Sequence, residues 1–135
     1  MRKYFSLVLM GLFGMVLVAL GQKCSFETSG GKASATYPEV LEWYQSLAKK
    51  HKEIKVINKG KTDAGFPLQL VLISNDGIFD PAKWHQNNKV VILVNNGIHA
   101  GEPDGIDASM MLARDIIEKK SLPSNVSIAI ITAYN

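Results

Sequence analysis

The sequence predicts an α/β fold in which a mixed, mostly parallel sheet carries helices on both faces, a three-layer α/β/α arrangement. Three observations lead to this prediction. Residues 90–94 are an unbroken aliphatic run, residues 106–117 repeat apolar side chains at helical spacing, and residues 126–132 (VSIAIIT) form a second apolar run. A strand, a helix and a strand in this order predict a right-handed crossover between two parallel strands.

The amino-terminal residues predict a secretory signal peptide over 1–21. A basic start precedes a nearly all-apolar run from Phe5 to Leu20, and small residues at the end of this run fit a cleavage site. A membrane anchor is the alternative, but the run is shorter than the roughly 20 apolar residues that a spanning helix needs. We therefore expect a secreted or periplasmic protein whose mature chain begins at Gln22 and leaves the membrane.

Residues 22–36 are predicted to form an extended polar leader into the domain, because most of this stretch is rich in Gly and Ser. Cys24 is the only cysteine, so no disulfide can form within the chain. Lipid anchoring at Cys24 is the alternative to a free or buried thiol. The preceding Gln22 and Lys23 argue against it, since lipoprotein signals place a leucine and two small residues before the cysteine.

Residues 37–135 are predicted to form the domain itself. Apolar side chains at helical spacing predict a helix over 37–51. The strand-like segments 54–59 and 67–74 flank a turn with two glycines, which predicts an antiparallel hairpin. Residues 75–88 contain Asp-Gly and Asp-Pro pairs and are predicted to be a loop.

The strand over 90–95 is predicted to be buried on both faces, because it shows no polar alternation. We expect it to lie in the sheet between the strands 67–74 and 126–132, with the latter parallel to it. In the helix that follows it, Asp107 is predicted to lie off the apolar stripe. That stripe consists of Ile106, Met110, Ala113 and Ile117, widened by Leu112 and Ile116.

The charge balance does not indicate a nucleic-acid-binding protein. The formal net charge is +3, and without residues 1–21 the 13 basic and 12 acidic side chains leave +1. Lysines cluster only at the end of the first predicted helix, where solvated cations complement the helix dipole, with a binding patch as the alternative. These are Lys49, Lys50, Lys52 and Lys55. Neither nucleic acid nor membrane is an expected partner of the mature chain, and the oligomeric state stays open.

The turn between the aliphatic strand and the helix reads NNGIHAGEPDGID over residues 95–107. It follows the carboxyl end of a strand, where ligands gather in open α/β sheets. Imidazole and carboxylate groups both bind zinc at about 2.0 to 2.2 Å, and the spacing of His99 and Glu102 allows both to face one ion. Pro103 at the first helical position would project the Glu102 carboxylate from the start of the helix. The alternative is that Glu102 only caps the helix and His99 is an ordinary loop residue.

In this context residues 95–109 resemble the first zinc-ligand motif of the zinc carboxypeptidases of the carboxypeptidase A type, the funnelin metallopeptidases. Residues 60–68 (GKTDAGFPL) are similar to the hairpin motif that this family has just upstream. The predicted helix over 36–47 also agrees with the family's catalytic domain. The resemblance covers essentially all of the chain after the leader, and it implies a carboxypeptidase-like fold of which only the amino-terminal part is present.

The resemblance implies that His99 and Glu102 are the first two ligands of a catalytic Zn²⁺. In the family a third ligand, a histidine, a general-base glutamate and the residues that bind substrate come later in the chain. We therefore expect the 135 residues to be a fragment without catalytic residues of its own. His51 and His85 are the only histidines that could substitute as a third ligand. Gly101 stands where the pancreatic enzymes have an arginine, so their substrate preference does not transfer.

The function implied by the resemblance is that of an exported zinc metallocarboxypeptidase, which removes the C-terminal amino acid of a peptide substrate with zinc-activated water. A related zinc amidohydrolase, acting on murein peptides or N-acyl amino acids, needs the same ligands and is one alternative. A non-catalytic exported domain of the same fold is the other. Residues beyond Asn135, namely carboxylate-binding arginines and the general base, would distinguish the three.

Overall fold

The computed structural model describes residues 21–99 and 101–135. The predicted signal peptide over 1–21 lies outside the described residues, apart from Gly21. No helix within the described ranges is long and apolar enough to cross a membrane. The described elements are, in chain order, α1 (Ser25–Thr28), α2 (Tyr37–Lys50), β1 (Ile54–Lys61), β2 (Pro67–Ser74), α3 (Pro81–Gln86), β3 (Val90–Asn95), α4 (Asp104–Glu118) and β4 (Val126–Ile131).

The segment before α2 is docked on the domain, so the prediction of an extended leader over 22–36 is wrong. It contains the single turn of α1, where Glu27 accepts a hydrogen bond from the backbone N–H of Cys24 at 3.0 Å. The indole nitrogen of Trp43 in α2 donates to the carbonyl of Lys23 at 3.1 Å. The Gly/Ser content indicated an extended chain, whereas the docking of this segment depends on Trp43, 20 positions along the sequence from Lys23.

Helix α2 begins at the predicted residue and ends at Lys50, one residue before the predicted end. Its amino terminus is fixed by a capping box, in which the Glu39 carboxylate accepts from the backbone N–H of Thr36 at 2.6 Å and from its hydroxyl at 2.7 Å. Val40, Tyr44 and Leu47 are buried between this helix and the sheet. The helix therefore covers one face of the sheet.

The sheet has the strand order β1-β2-β4-β3. β1 and β2 form the predicted antiparallel hairpin, β2 is antiparallel to β4, and β4 is parallel to β3 from Val90 opposite Val126 to Asn95 opposite Ile131. The sheet is mixed, as predicted, but antiparallel pairs outnumber the parallel pair among the described strands.

Strand β4, and not β3, lies in the middle of the described sheet. The prediction that residues 90–95 lie between the other two strands is therefore wrong. The crossover through α4 returns the chain to the inner side of β3, so that β4 is inserted between β2 and β3. Neighbours in sequence are often neighbours in a sheet, but a crossover can insert a later strand between them.

Strand β3 is more exposed than its sequence predicts. Val90 is 55% exposed, Ile92 47% and Leu93 61%, although full burial was predicted. Within the described residues β3 pairs only with β4, so one of its edges is open and its side chains lack neighbours on that side. An aliphatic run predicts burial, but it does not show which element provides it.

The helices lie on both faces of the sheet, which confirms the three-layer arrangement. α2 and α4 pack on the face that carries Val71, Ile73 and Ile130, and this packing forms the main core. On the other face Trp84 packs with Leu72 and Ala129. Trp84 belongs to α3, so part of the predicted loop over 75–88 is helical. Six residues are too few for a periodic apolar pattern, and the N-cap hydrogen bond from Ala82 N–H to the Asp80 carboxylate at 2.9 Å starts this helix.

Helix α4 buries Met110, Ala113 and Ile117, as its stripe predicts. Asp107 is also buried, at 3% exposure, although the pattern placed it off the stripe. Its carboxylate accepts a hydrogen bond from the backbone N–H of Ala35 at 3.2 Å, and it lies in the first helical turn, where the dipole favours negative charge. Leu112, predicted to widen the stripe, is 46% exposed.

Candidate metal site

The turn that carries His99 and Glu102 begins where the two parallel strands end. β3 ends at Asn95, which lies opposite Ile131 at the end of β4, and α4 starts nine residues later at Asp104. The turn therefore lies at the carboxyl edge of the parallel pair, the position at which open α/β sheets bind ligands. This placement agrees with the prediction from the sequence.

Two glycines give the turn its shape. Gly97 has a φ of 59° and Gly101 a φ of 84°, in the left-handed region that residues with a side chain rarely adopt. Pro103 is the N-cap of α4, with φ −79° and ψ −15°, and not its first helical residue. The boundary differs from the prediction by one residue, and Glu102 still lies just before the helix.

The side chains of His99 and Glu102 meet at the tip of this turn. The Nδ1 atom of His99 lies 3.2 Å from each carboxylate oxygen of Glu102. Two ligand atoms about 2.0 to 2.1 Å from one tetrahedral zinc ion are about 3.3 Å apart, so this separation fits a shared ion. A direct hydrogen bond between the two groups has a similar length. The donor set, an imidazole nitrogen and two carboxylate oxygens, is one that zinc accepts.

Both side chains are open to solvent, with 76% of the His99 side chain and 63% of the Glu102 side chain exposed. Residues with such exposure contribute little to packing. The solvent-facing side of this pair is therefore not covered by other described residues of the chain.

A third protein ligand is not found in the described ranges. No group of three or more His, Cys, Asp or Glu side chains there could hold a metal ion. His51 follows the last residue of α2, about 20 Å along the helix axis from Tyr37, which lines the cleft beside His99. His85 lies in α3 near the start of β3, and that strand of about 20 Å separates it from the turn. Neither histidine is brought to the pair.

A cleft of about 300 Å³ opens beside His99 and Glu102. Part of its wall is apolar, formed by Val40 of α2, Ile106 of α4 and Ala133 after β4. Tyr37 lines the same cleft, and its hydroxyl donates a hydrogen bond to the carbonyl of Pro67. Burial raises the pKa of Tyr37, so this phenol stays protonated at neutral pH. The cleft can take an apolar group next to His99 and Glu102.

The sequence reasoning missed the residues at the base of the turn. Asn96 is 6% exposed, and its amide nitrogen donates to the hydroxyl of Ser109 at 2.9 Å. Both lie in the motif over 95–109, but neither was assigned a role, because Asn before a glycine is typical of any turn and Ser109 lies within a helix. The one available signal was the position of Ser109 on the side of α4 that also carries Met110 and Ala113.

Comparisons with known proteins bear on the fold and the family. The family model for zinc carboxypeptidase matches residues 40–132. Carboxypeptidase A from Helicoverpa armigera has 21% sequence identity and a TM-score of 0.62, and the match covers 74% of this chain and 24% of that chain. Bovine thrombin-activatable fibrinolysis inhibitor, solved in complex with tick carboxypeptidase inhibitor, has 15% identity and a TM-score of 0.60, and the match covers 75% of this chain and 31% of that chain.

A comparison with curated protein sequences gives no match. The identities to the solved structures are low, so this likeness establishes the fold alone, which is the predicted carboxypeptidase fold. The chain spans about a quarter to a third of the length of those structures. The family model extends over most of the chain, from α2 to the end of β4, and contains the turn with His99 and Glu102. The chain therefore belongs to the zinc carboxypeptidase family.

Proposed function

We propose that the whole protein is an exported zinc metallocarboxypeptidase and that His99 and Glu102 are two of its zinc ligands. The observation that carries the proposal is the separation of 3.2 Å between His99 Nδ1 and both oxygens of Glu102. This pair lies at the carboxyl end of a parallel strand, in a chain of the zinc carboxypeptidase family. Geometry, donor chemistry and family support the same role.

The two side chains have complementary tasks in this proposal. His99 supplies a neutral nitrogen donor, and Glu102 supplies negative charge that offsets the charge of the cation. Zinc, when bound, lowers the pKa of a coordinated water to near 7 and polarises the carbonyl to be cleaved. Because both side chains are exposed, the chain leaves the other side of the site open to ligands from the rest of the whole protein.

The proposed substrate is a peptide that loses its C-terminal amino acid. The cleft beside the ligands, with Val40, Ile106 and Ala133 in its wall, can accommodate an apolar part of such a peptide. At position 101 the chain has glycine, so it contributes no cationic side chain there to select an acidic group. We propose that the remaining substrate contacts come from the rest of the whole protein.

Export is part of the proposal, with a mature amino terminus at Gln22. The side-chain amide of Gln22 donates to the carbonyl of Trp43 at 2.8 Å, and its oxygen accepts from Lys50 at 2.9 Å. Cys24 is 2% exposed, and burial raises the pKa of its thiol. A buried thiol supports a free cysteine over a lipid anchor at this position. Mass spectrometry of the exported protein tests both points, since lipid on Cys24 or retention of Met1 would contradict them.

The test of the activity is release of C-terminal residues by the full-length protein. A peptide with a free C-terminus should be shortened, and the same peptide with an amidated C-terminus should not. His99→Ala and Glu102→Gln should each eliminate turnover. His85→Ala is the matched control, because this exposed histidine lies near the opposite end of β3, and it should leave turnover unchanged.

The outcomes distinguish the alternatives. Turnover of a murein peptide or an N-acyl amino acid, with no turnover of ordinary peptides, would replace the peptidase with an amidohydrolase. No turnover of any of these substrates by the zinc-loaded protein would favour the non-catalytic domain. Loss of turnover in His85→Ala would mean that the metal site has been assigned to the wrong histidine.

A further inference from the structure

We propose that Asn96 is a positioning residue for the metal ligands, because its buried amide joins the base of the His99 turn to helix α4. The proposal rests on the function proposed above and adds a residue that touches neither the metal nor the substrate. Three observations support it: the buried side-chain hydrogen bond of Asn96, its two backbone hydrogen bonds, and the close packing of two glycines around it.

The first observation is the hydrogen bond between two buried side chains. Asn96 is 6% exposed and Ser109 4%, and the amide nitrogen of Asn96 donates to the Ser109 hydroxyl at 2.9 Å. Ser109 lies in the second turn of α4. An unpaired polar group in such a place is strongly disfavoured, so this bond resists opening. The bond connects the start of the turn, three residues before His99, to helix α4, which begins just after Glu102 and Pro103.

The second observation concerns the backbone of Asn96. Its N–H donates to the carbonyl of Ile131 at 3.3 Å, and its carbonyl accepts from the N–H of Tyr134 at 2.8 Å. The carbonyl of Gly97 accepts from the N–H of Asn135 at 3.1 Å. The base of the turn is thus attached to the end of β4 by its backbone and to α4 by the Asn96 side chain.

The third observation is the packing around the amide. A Cβ atom at Gly105 in the first turn of α4 would lie 2.9 Å from the amide oxygen of Asn96, closer than such atoms approach. A Cβ atom at Gly97, which has a left-handed φ of 59°, would lie 3.4 Å from the Cδ1 atom of Ile106 in α4 and 3.3 Å from the Cα of Ala133. The helix and the turn therefore meet without space between them, and the Asn96 amide fills the contact.

These contacts explain how an exposed pair can be held at a defined separation. The side chains of His99 and Glu102 are exposed, so the positions of their backbones must be fixed by contacts at the base of the turn. Ligands that are held in place before the metal arrives bind more tightly, and removal of supporting residues typically weakens metal binding by about 10- to 100-fold. Loss of the Asn96 amide should therefore loosen the turn and weaken zinc binding without removing a ligand.

The experiment uses the full chain with Asn96→Ala, Ser109→Ala and both together. In the metal-free chain, exchange of the hydrogen-bonded backbone amides of Asn96 and Tyr134 at the base of the turn should become at least about tenfold faster in each variant. A zinc titration is followed by the NMR signals of the His99 ring. The zinc concentration at half-saturation should be at least about tenfold higher in each variant than in the wild type. The double variant should resemble the single ones, because both remove the same bond.

Ser127→Ala is the matched control. Ser127 is fully buried and its hydroxyl pairs with that of Ser74 at 3.1 Å, near the opposite end of the sheet from the turn. Its loss should lower the free energy of unfolding and leave both the exchange of the turn and the zinc titration unchanged. Ser109→Ala introduces alanine, a good helix former, into α4. It therefore tests the role of the Asn96–Ser109 bond even if Asn96→Ala does not fold.

Two outcomes separate this inference from the function on which it rests. Unchanged exchange of the turn, or zinc binding within twofold of the wild type, in folded Ser109→Ala would overturn the role of Asn96. Zinc binding that is insensitive to His99→Ala would overturn the proposed function, and the exchange measurement would still decide whether Asn96 holds the turn.

Discussion

Arg114 of α4 and Glu27 of α1 form a double ion pair across 87 positions of sequence, with the Arg114 Nη1 atom 2.6 and 2.8 Å from the two carboxylate oxygens. The side chains are only 12% and 22% exposed. The same nitrogen donates to the carbonyl of Gln22 at 3.3 Å. Arg114 thus holds the amino-terminal segment on the domain.

Glu27→Gln should lower the free energy of unfolding by about 2 kcal/mol, because it removes the more buried of the two charged partners of a mostly buried guanidinium. Asp115→Asn is the matched control. Asp115 pairs with the same guanidinium at 2.8 Å but is 39% exposed, so its loss should cost less than about 1 kcal/mol. Urea unfolding measures both. Equal losses would show that burial does not govern the Arg114 contacts.

Burial opposes ionisation of Glu27, but the hydrogen bonds from Arg114 and from the backbone of Cys24 lower the pKa of Glu27 below its usual value. A carboxyl with a lowered pKa in the folded state stabilises the fold above its unfolded pKa, and this contribution is lost as the pH falls through the folded value. The difference in the free energy of unfolding between wild type and Glu27→Gln should therefore disappear in acid. A difference that is constant from pH 6 down to pH 2 would contradict this account.

Lys89 and Asp76 form a second ion pair, with the Lys89 nitrogen 2.6 Å from the carboxylate and its side chain only 6% exposed. The hydrogen bond from Lys89 lowers the pKa of Asp76 to about 2. At neutral pH the free energy of unfolding should therefore be larger for the wild type than for Asp76→Asn. This difference should be lost as the pH falls from about 4 to about 2. Asp76 is 37% exposed, so solvent screening should limit this advantage to about 1 kcal/mol at neutral pH.

The measurement for Asp76 is urea unfolding at pH 6, pH 4 and pH 2.5. Asp63→Asn, which changes an exposed acid in the hairpin turn, serves as the control and should show no such dependence. An advantage of the wild type that grows on acidification would have the wrong sign for an ion pair of this kind.

The open edge of β3 should make the 135-residue chain associate with itself. Leu93 is 61% exposed and no charged residue interrupts the strand, a combination that favours edge-to-edge pairing. Leu93→Lys should reduce light scattering of the concentrated chain while leaving its helix and strand content unchanged. Leu112→Lys alters a residue of α4 with 46% exposure and should not reduce the scattering. Equal effects of the two changes would assign the association to general hydrophobicity.

The sequence predicted those elements whose residues form a clear periodic or alternating pattern. The spacing of Met110, Ala113 and Ile117 predicts α4, and the glycines at positions 60 and 65 predict the hairpin. The position of His99 and Glu102 was predictable because strand, turn and helix follow directly upon one another. Local order in the sequence therefore predicts both the elements and the place of His99 and Glu102.

Features that depend on distant partners were not predictable in this way. The burial of Asp107 depends on Ala35, 72 positions away, and the docking of α1 depends on Arg114. The strand order depends on where the crossover returns the chain, which an apolar run in β4 does not show. The role of Asn96 required the geometry, since only the packing of Ser109 against it distinguishes this residue from any asparagine in a turn.

The most direct test of the central claim is a calorimetric zinc titration of the chain. Wild type should bind one zinc ion weakly, His99→Ala should abolish this binding, Glu102→Gln should weaken it, and His85→Ala should leave it unchanged. Because both ligand side chains are exposed, none of these variants should alter the thermal unfolding of the metal-free chain. Zinc binding by His99→Ala with the affinity of the wild type would contradict the claim that His99 and Glu102 form the metal site.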